Sequence, residues 1–105
     1  MQRGEIWWAE LPRPSGRRPV LLLSRDDSYP VRDFIIMTPL TTRRRGLRTE
    51  VTVGPETGLP RISVANLDVI ITERKRVLRE RIGVLLSDQL REVDEALRFA
   101  LGMDE

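Results

Sequence analysis

Two arginines and a proline, Arg17-Arg18-Pro19, stand at the entrance of an apolar run in GRRPVLLLS (16–24). One charge would keep such a strand mouth soluble, so the second asks for another reason. Proline fixes its own φ and biases the residue before it toward extended geometry. Arg18 therefore has a defined backbone, as a guanidinium that must meet a phosphate requires. Further along, Thr41-Thr42 close another apolar segment and run into Arg43-Arg44-Arg45-Gly46. Hydroxyls donate to and accept from phosphate oxygens, while guanidinium groups neutralise their charge. In SVANLD (63–68), Ser63 and Asn66 have the hydrogen-bonding capacity to read base edges, and Asp68 is an isolated acid among apolar residues. Each group also has a plainer reading: a loop arginine, a solvated hairpin tip, ordinary strand and turn polarity. Arg17-Arg18 and the threonine–arginine run, taken together, favour contact with a polyanion.

Composition narrows the chemistry. The 105 residues contain no histidine and no cysteine. Imidazole acid–base pairs, Ser-His-Asp triads, disulfides and most zinc or iron sites are thereby excluded. Of eighteen basic residues seventeen are arginine, whose planar fork suits phosphate and base edges better than an ammonium does. The net charge of +2 divides unevenly, +5 over residues 1–48 and −3 over residues 49–105. A basic half points to a polyanion partner. No phosphate-cradling glycine loop and no carboxylate cluster suited to Mg²⁺ is visible, so neither a metal nor a cofactor is expected. A phosphodiester enzyme of this composition is restricted to RNA, whose own 2′-OH serves as nucleophile and leaves a cyclic phosphate. Arg18 would stabilise the charge on the phosphorane and Thr41 would orient it. Arginine, with its pKa above about 12, is a poor general acid, so its role is electrostatic.

The elements that must position these groups are short. EIWWAEL (5–11) reads as a strand with Trp7, Ala9 and Leu11 on one face and Ile6, Trp8 and Glu10 on the other. Trp7 is expected in the core, and Trp8 either stacks on a base or packs in a subunit interface. PRPSGRR (12–18) reads as a loop, PVLLLSR (19–25) as a buried strand, and DFIIMTPL (33–40) as a strand ended by Pro39. TTRRRGLR (41–48) reads as a basic loop and TEVTV (49–53) as a half-exposed strand. ISVANLDVIIT (62–72) reads as one bent strand or two short ones. ERKRVLRERIGVLL (73–86) is ambiguous, and its charged part is simplest as a solvated surface. The tail is a helix with Ser87 as N-cap, Leu90, Val93, Leu97 and Leu101 at helical spacing, and Gly102 at its C-terminal end. The expected fold is mainly β with α: one domain over 1–105, a small β-barrel or sheet with a helix packed on it. No segment has the length and apolarity of a membrane span or the order of a signal peptide, which makes a cytoplasmic location the expectation.

RGEIWWAELP (3–12), GRRPVLLLSRD (16–26), IIMTPLTT (35–42), GLPRISVANLDVIIT (58–72) and RIGVLLSDQLREVDEALRFALG (81–102) together resemble the MazF/PemK family of toxin endoribonucleases, in order and over nearly the whole chain. The resemblance implies an SH3-like β-barrel (CcdB/PemK-like) with a C-terminal amphipathic helix, acting as a homodimer. It also implies metal-independent, sequence-specific cleavage of single-stranded RNA, inhibition of translation, and neutralisation by a cognate acidic antitoxin. The family's catalytic arginine and threonine fall on Arg18 and Thr41. Arg17, Thr42, Arg43, Arg44, Ser63 and Asn66 are then the candidate RNA-binding residues. The chain departs from the family in its short PRPSG loop, in Ile62, and in Leu67, which stands where many members carry an acid or another polar residue. Two non-catalytic readings remain for such a barrel: a CcdB-like gyrase poison and an RNA-binding module.

Overall fold

The computed structural model describes residues 1–104. It contains seven strands and one helix: β1 (Glu5–Leu11), β2 (Gly16–Leu22), β3 (Phe34–Thr41), β4 (Glu50–Val53), β5 (Ser63–Asn66), β6 (Ile71–Arg74), β7 (Leu78–Val84) and α1 (Ser87–Ala100). The strands make one antiparallel sheet in the order β4-β5-β3-β2-β1-β7, with β6 paired to β3. The sheet curls on itself, with α1 packed against one face, as the SH3-like barrel that the resemblance implied. Among the described residues, no helix is long and apolar enough to cross a membrane.

Strand alternation builds two apolar clusters, one on each face. Ile6, Leu21, Leu23, Leu40, Val51, Val53 and Ala65 bury one face against Val93 and Ala96 of α1, with Leu90 and Leu97 packed alongside. Ala9, Leu11, Val20, Leu22, Ile35 and Met37 bury the other, with Trp7 against them. The alternation expected for β1 thus holds. The helical stripe holds except at its end, where Leu101 is 61% exposed and Ala96 takes its place in the core. Leu101 lies past the last helical turn, where the chain reverses. Gly102, at φ +72°, and Met103 donate to the carbonyls of Phe99 and Arg98.

Three boundaries differ from the sequence reading, and the choice left open over 62–72 falls to two short strands. β2 begins at Gly16, so Arg17 and Arg18 lie in the strand and not in the preceding loop. The ladder with β1 runs to Leu11↔Gly16, and Gly16 accepts the φ of +65° at which the strand opens. Pro39 lies inside β3, which continues to Thr41. It falls between the β6 ladder, which ends at Met37, and the β5 ladder, which begins at Leu40. Over 62–72 the two-strand reading holds: Leu67–Ile70 separate β5 from β6, because Asn66 accepts the Asp68 N–H on Oδ1 and the Val69 N–H on its carbonyl, turning the chain. Leu86, not Ser87, flanks the helix. Its carbonyl accepts the Leu90 N–H and its own N–H donates to Gln89 Oε1, so Gln89 supplies half of a capping box without a hydroxyl.

The ambiguous charged stretch becomes β7, an edge strand on β1. Its exposed Arg79, Glu80 and Arg81 suit an edge that must not pair with another chain. Arg81 and the Trp7 indole both reach the buried Glu5 carboxylate, at 3.4 and 2.9 Å. Arg3 joins the end of β2 to α1 through the Leu23 carbonyl (3.0 Å) and Asp94 (2.7 Å).

Tyr29, the single tyrosine, is buried and donates to the Ser24 carbonyl at 2.9 Å. Burial, reinforced by nearby Asp26, pushes its phenol up to about 12. Because the folded pKa is raised, this contribution to stability is complete below the ordinary value near 10 and is lost as pH rises through about 12. A phenolate absorbance titration should therefore show its midpoint near the upper value. A midpoint near the lower one would mean that the ring is exposed.

Candidate active site

The register of β2 on β3 pairs Val20 with Pro39, Leu21 with Thr38 and Leu22 with Met37. Carried two residues on, it sets Arg18 across from Thr41. Both side chains continue the face that buries Val20, Leu22, Ile35 and Met37, at the point where that face leaves the core. There they line a cleft of ≈ 270 Å³ together with Ser15, Pro39, Arg43, Arg45, Glu50 and Asn66. The arginine–threonine pair singled out in the sequence is one site.

Arg18 is half-buried, with Ala9 opposite it on β1. Its Nε is a buried donor without a partner, the one such side-chain atom among the described residues. An unmet buried donor costs about 1–3 kcal/mol, more when charged, so Arg18 is a group that the protein's own acceptors leave incompletely satisfied. Thr41 Oγ1 accepts the Arg43 N–H at 3.1 Å, which bends the chain out of β3 and carries Arg43 to the cleft wall. The hydroxyl keeps its own proton and a second lone pair for a ligand.

Asn66 enters from the end of β5, paired with Glu50 of β4. Its Oδ1 accepts the Asp68 N–H and lies 3.0 Å from Thr49 Oγ1, which is equally close to Asp68 Oδ2. The backbone donor fixes the amide with its oxygen inward, leaving the NH₂ group as donor toward the cleft that Asn66 lines. Leu67 is fully buried in the core and contributes nothing to the cleft.

The other sequence candidates are distributed differently. Arg17 faces the opposite side of the sheet, 4.8 Å over the Trp8 ring and within 3.7 and 4.0 Å of Glu10 and Glu80. These exposed contacts are weak, each worth up to about 1 kcal/mol. Trp8, Thr42 and Ser63 border a second groove of ≈ 370 Å³ with Pro19, Leu40, Leu59, Pro60 and Arg61, and Thr41 borders both grooves. Ser63 is buried and donates to the Arg61 carbonyl. Arg44 turns away to donate to Thr52 Oγ1 at 3.2 Å. Sequence reasoning missed Ser15, Arg45 and Glu50. Arg45 was visible in the arginine run, whereas Glu50 carried no signal beyond being the first acid after it.

The cleft is thus lined by guanidinium groups, a hydroxyl and an amide, with the Glu50 carboxylate beside them. Among the described residues, no three His, Cys, Asp or Glu side chains converge as metal ligands.

The chain is thus a curled mainly-β sheet with one C-terminal helix and an Arg–Thr cleft between the start of β2 and the end of β3. Residues 2–101 match the family described as PemK-like, MazF-like toxin of type II toxin–antitoxin system, and the chain belongs to that family. It is 40% identical over 100 residues to "Probable endoribonuclease MazF5" of Mycobacterium tuberculosis, covering 94% of this chain and 91% of that one. Among solved structures, the Mycobacterium tuberculosis toxin MazF-mt6 superposes with a TM-score of 0.88 at 36% identity, over 96% of this chain and 99% of the other. An endoribonuclease in complex with its cognate antitoxin, from a mycobacterial species, superposes with a TM-score of 0.86 at 27% identity, over 100% and 98%.

Thr49 is the buried support of Asn66. Thr49→Val keeps the shape and removes the hydroxyl. It should lower unfolding free energy in urea by about 1–2 kcal/mol, whereas an unchanged midpoint would show that the hydroxyl bears no load.

Proposed function

We propose that this protein is a toxin endoribonuclease that cuts single-stranded RNA without a metal, using the substrate's own 2′-OH. The observation that carries the reading is Arg18 across from Thr41 in one cleft, with the Arg18 Nε unmet. In the step, the 2′ oxygen attacks phosphorus and gives its proton to solvent. The bond from phosphorus to the 5′ oxygen breaks and that oxygen takes up a proton. The products are a 2′,3′-cyclic phosphate and a 5′-OH. Arg18 holds the negative charge that grows on the non-bridging oxygens, and Thr41 orients them by hydrogen bonding.

Arg43 and Asn66 hold the strand in the cleft. Thr42, Ser63 and Arg17 meet it where it passes over the sheet end beside Trp8, and Arg44 contacts it from the outer side of the loop. The names of the similar proteins support the endoribonuclease reading. The retained Arg18/Thr41 pair favours it over a gyrase poison or a binding module. The partner that silences the toxin is an acidic, partly disordered antitoxin that covers the basic cleft and competes with RNA. The toxin works as a homodimer in the cytoplasm.

Purified protein incubated with total RNA in excess EDTA, followed by sequencing of the new ends, tests this. Recurrent cuts at a short motif are expected. Arg18→Ala should slow them roughly 100- to 1000-fold and Thr41→Ala should abolish their recurrence. Arg17→Ala should change the rate by no more than about fivefold. Intact RNA from folded, antitoxin-free protein would move the assignment to one of the binding readings.

A further inference from the structure

Glu50 opens β4 and lines the cleft, a carboxylate where an anion is to bind. Its oxygens are turned into the basic loop that precedes it. Oε1 accepts the successive N–H groups of Arg45 (3.1 Å), Gly46 (2.8 Å) and Leu47 (3.2 Å), and Oε2 accepts Arg45 N–H at 3.0 Å. Consecutive backbone donors converging on one anion form a nest, and Gly46 at φ +71° supplies the left-handed residue such a curve needs. The Glu50 N–H returns to the Leu47 carbonyl at 3.1 Å and closes the turn. The other end of the loop is pinned by the Thr41 hydroxyl, and its middle by Arg44 on Thr52. Arg43 and Arg45, the two loop residues on the cleft wall, lie between these anchors.

We propose that Glu50 is a positioning residue, which shapes the 43–47 loop into a nest and thereby sets Arg43 and Arg45 against the RNA backbone. The assignment rests on reading the cleft as an RNA site. Both carboxylate oxygens accept from the loop, which sets Glu50 apart from a general base aimed at substrate. It also fixes a sign. A carboxylate beside a polyanion repels it, so electrostatics alone makes removal of Glu50 strengthen RNA binding. Loss of a positioning residue does the opposite.

The experiment uses a short 2′-O-methyl RNA of mixed sequence, which lacks the nucleophile and so reports binding without cleavage. It is titrated at several salt concentrations against wild type, Glu50→Gln, Glu50→Asp and Glu50→Ala. The same folded proteins are digested briefly with trypsin, reading cuts after Arg43, Arg44 and Arg45. Glu50→Ala should bind about tenfold more weakly although a negative charge is gone. Its salt slope should shrink by about 1.4 as two arginine contacts drop out. Its loop should be cut several-fold faster, on the order of the local opening it permits. Glu50→Asp keeps the charge but not the reach and should move the same way, so the test stands even if the alanine variant does not fold. Glu50→Gln keeps an acceptor and should bind within about threefold of wild type. Unchanged or tighter binding by the alanine and aspartate variants, with a trypsin-resistant loop, would overturn the proposal. If wild type binds no RNA while the alanine or aspartate loop still opens to trypsin, the RNA reading falls and Glu50 stands as the holder of the loop.

Discussion

The antiparallel register between β2 and β3 is the constraint on which the site depends. Arg18 and Thr41 are more than twenty residues apart in the chain and face each other because Val20, Leu21 and Leu22 are paired with Pro39, Thr38 and Met37. A slip of one residue would turn Arg18 to the other side of the sheet and exchange Val20 and Leu22 with Leu21 and Leu23 between the two apolar clusters, undoing the packing of both. The apolar residues that enforce the pairing therefore also aim the arginine. The Arg18–Thr41 pair borrows its precision from the core.

At the sheet end the two faces serve different ends. On one, Arg18, Thr41, Arg43, Arg45 and Asn66 surround a charged cleft. On the other, Trp8, Pro19 and Leu40 line a more apolar groove, with Arg17 over the indole. The contrast between the adjacent arginines follows from strand geometry alone, since neighbours in a strand point to opposite faces. Arg17 satisfies itself on Glu10, Glu80 and Trp8. Arg18 keeps a buried donor without a partner.

Much of this was legible in the residues. The proline after Arg18 and the threonines at the end of an apolar run located the pair, and the period-two pattern of β1 assigned its faces correctly. What the chain did not reveal was the consequence of pairing. Arg17 and Arg18 belong to a strand because Gly16 finds a partner in Leu11, and Pro39 is harmless because β3 changes neighbours around it. The charged segment before the helix became an edge strand whose exposed residues carry no clean alternation, and bulges in its ladder with β1 erase what remained. Glu50 was silent because its role lies in backbone N–H groups, which no side-chain pattern reports. The resemblance to the MazF/PemK family agreed with the match over residues 2–101 and anticipated the curled barrel.

The central claim is that Arg18 acts on the transition state more than on bound RNA. The most direct test compares single-turnover cleavage rate with Kd for the same RNA, in wild type and in Arg18→Ala. The account predicts a rate reduced roughly 100- to 1000-fold with Kd changed by less than about tenfold. A rate at saturating protein that is unchanged, with the whole defect in Kd, would make Arg18 a phosphate anchor and contradict its catalytic assignment.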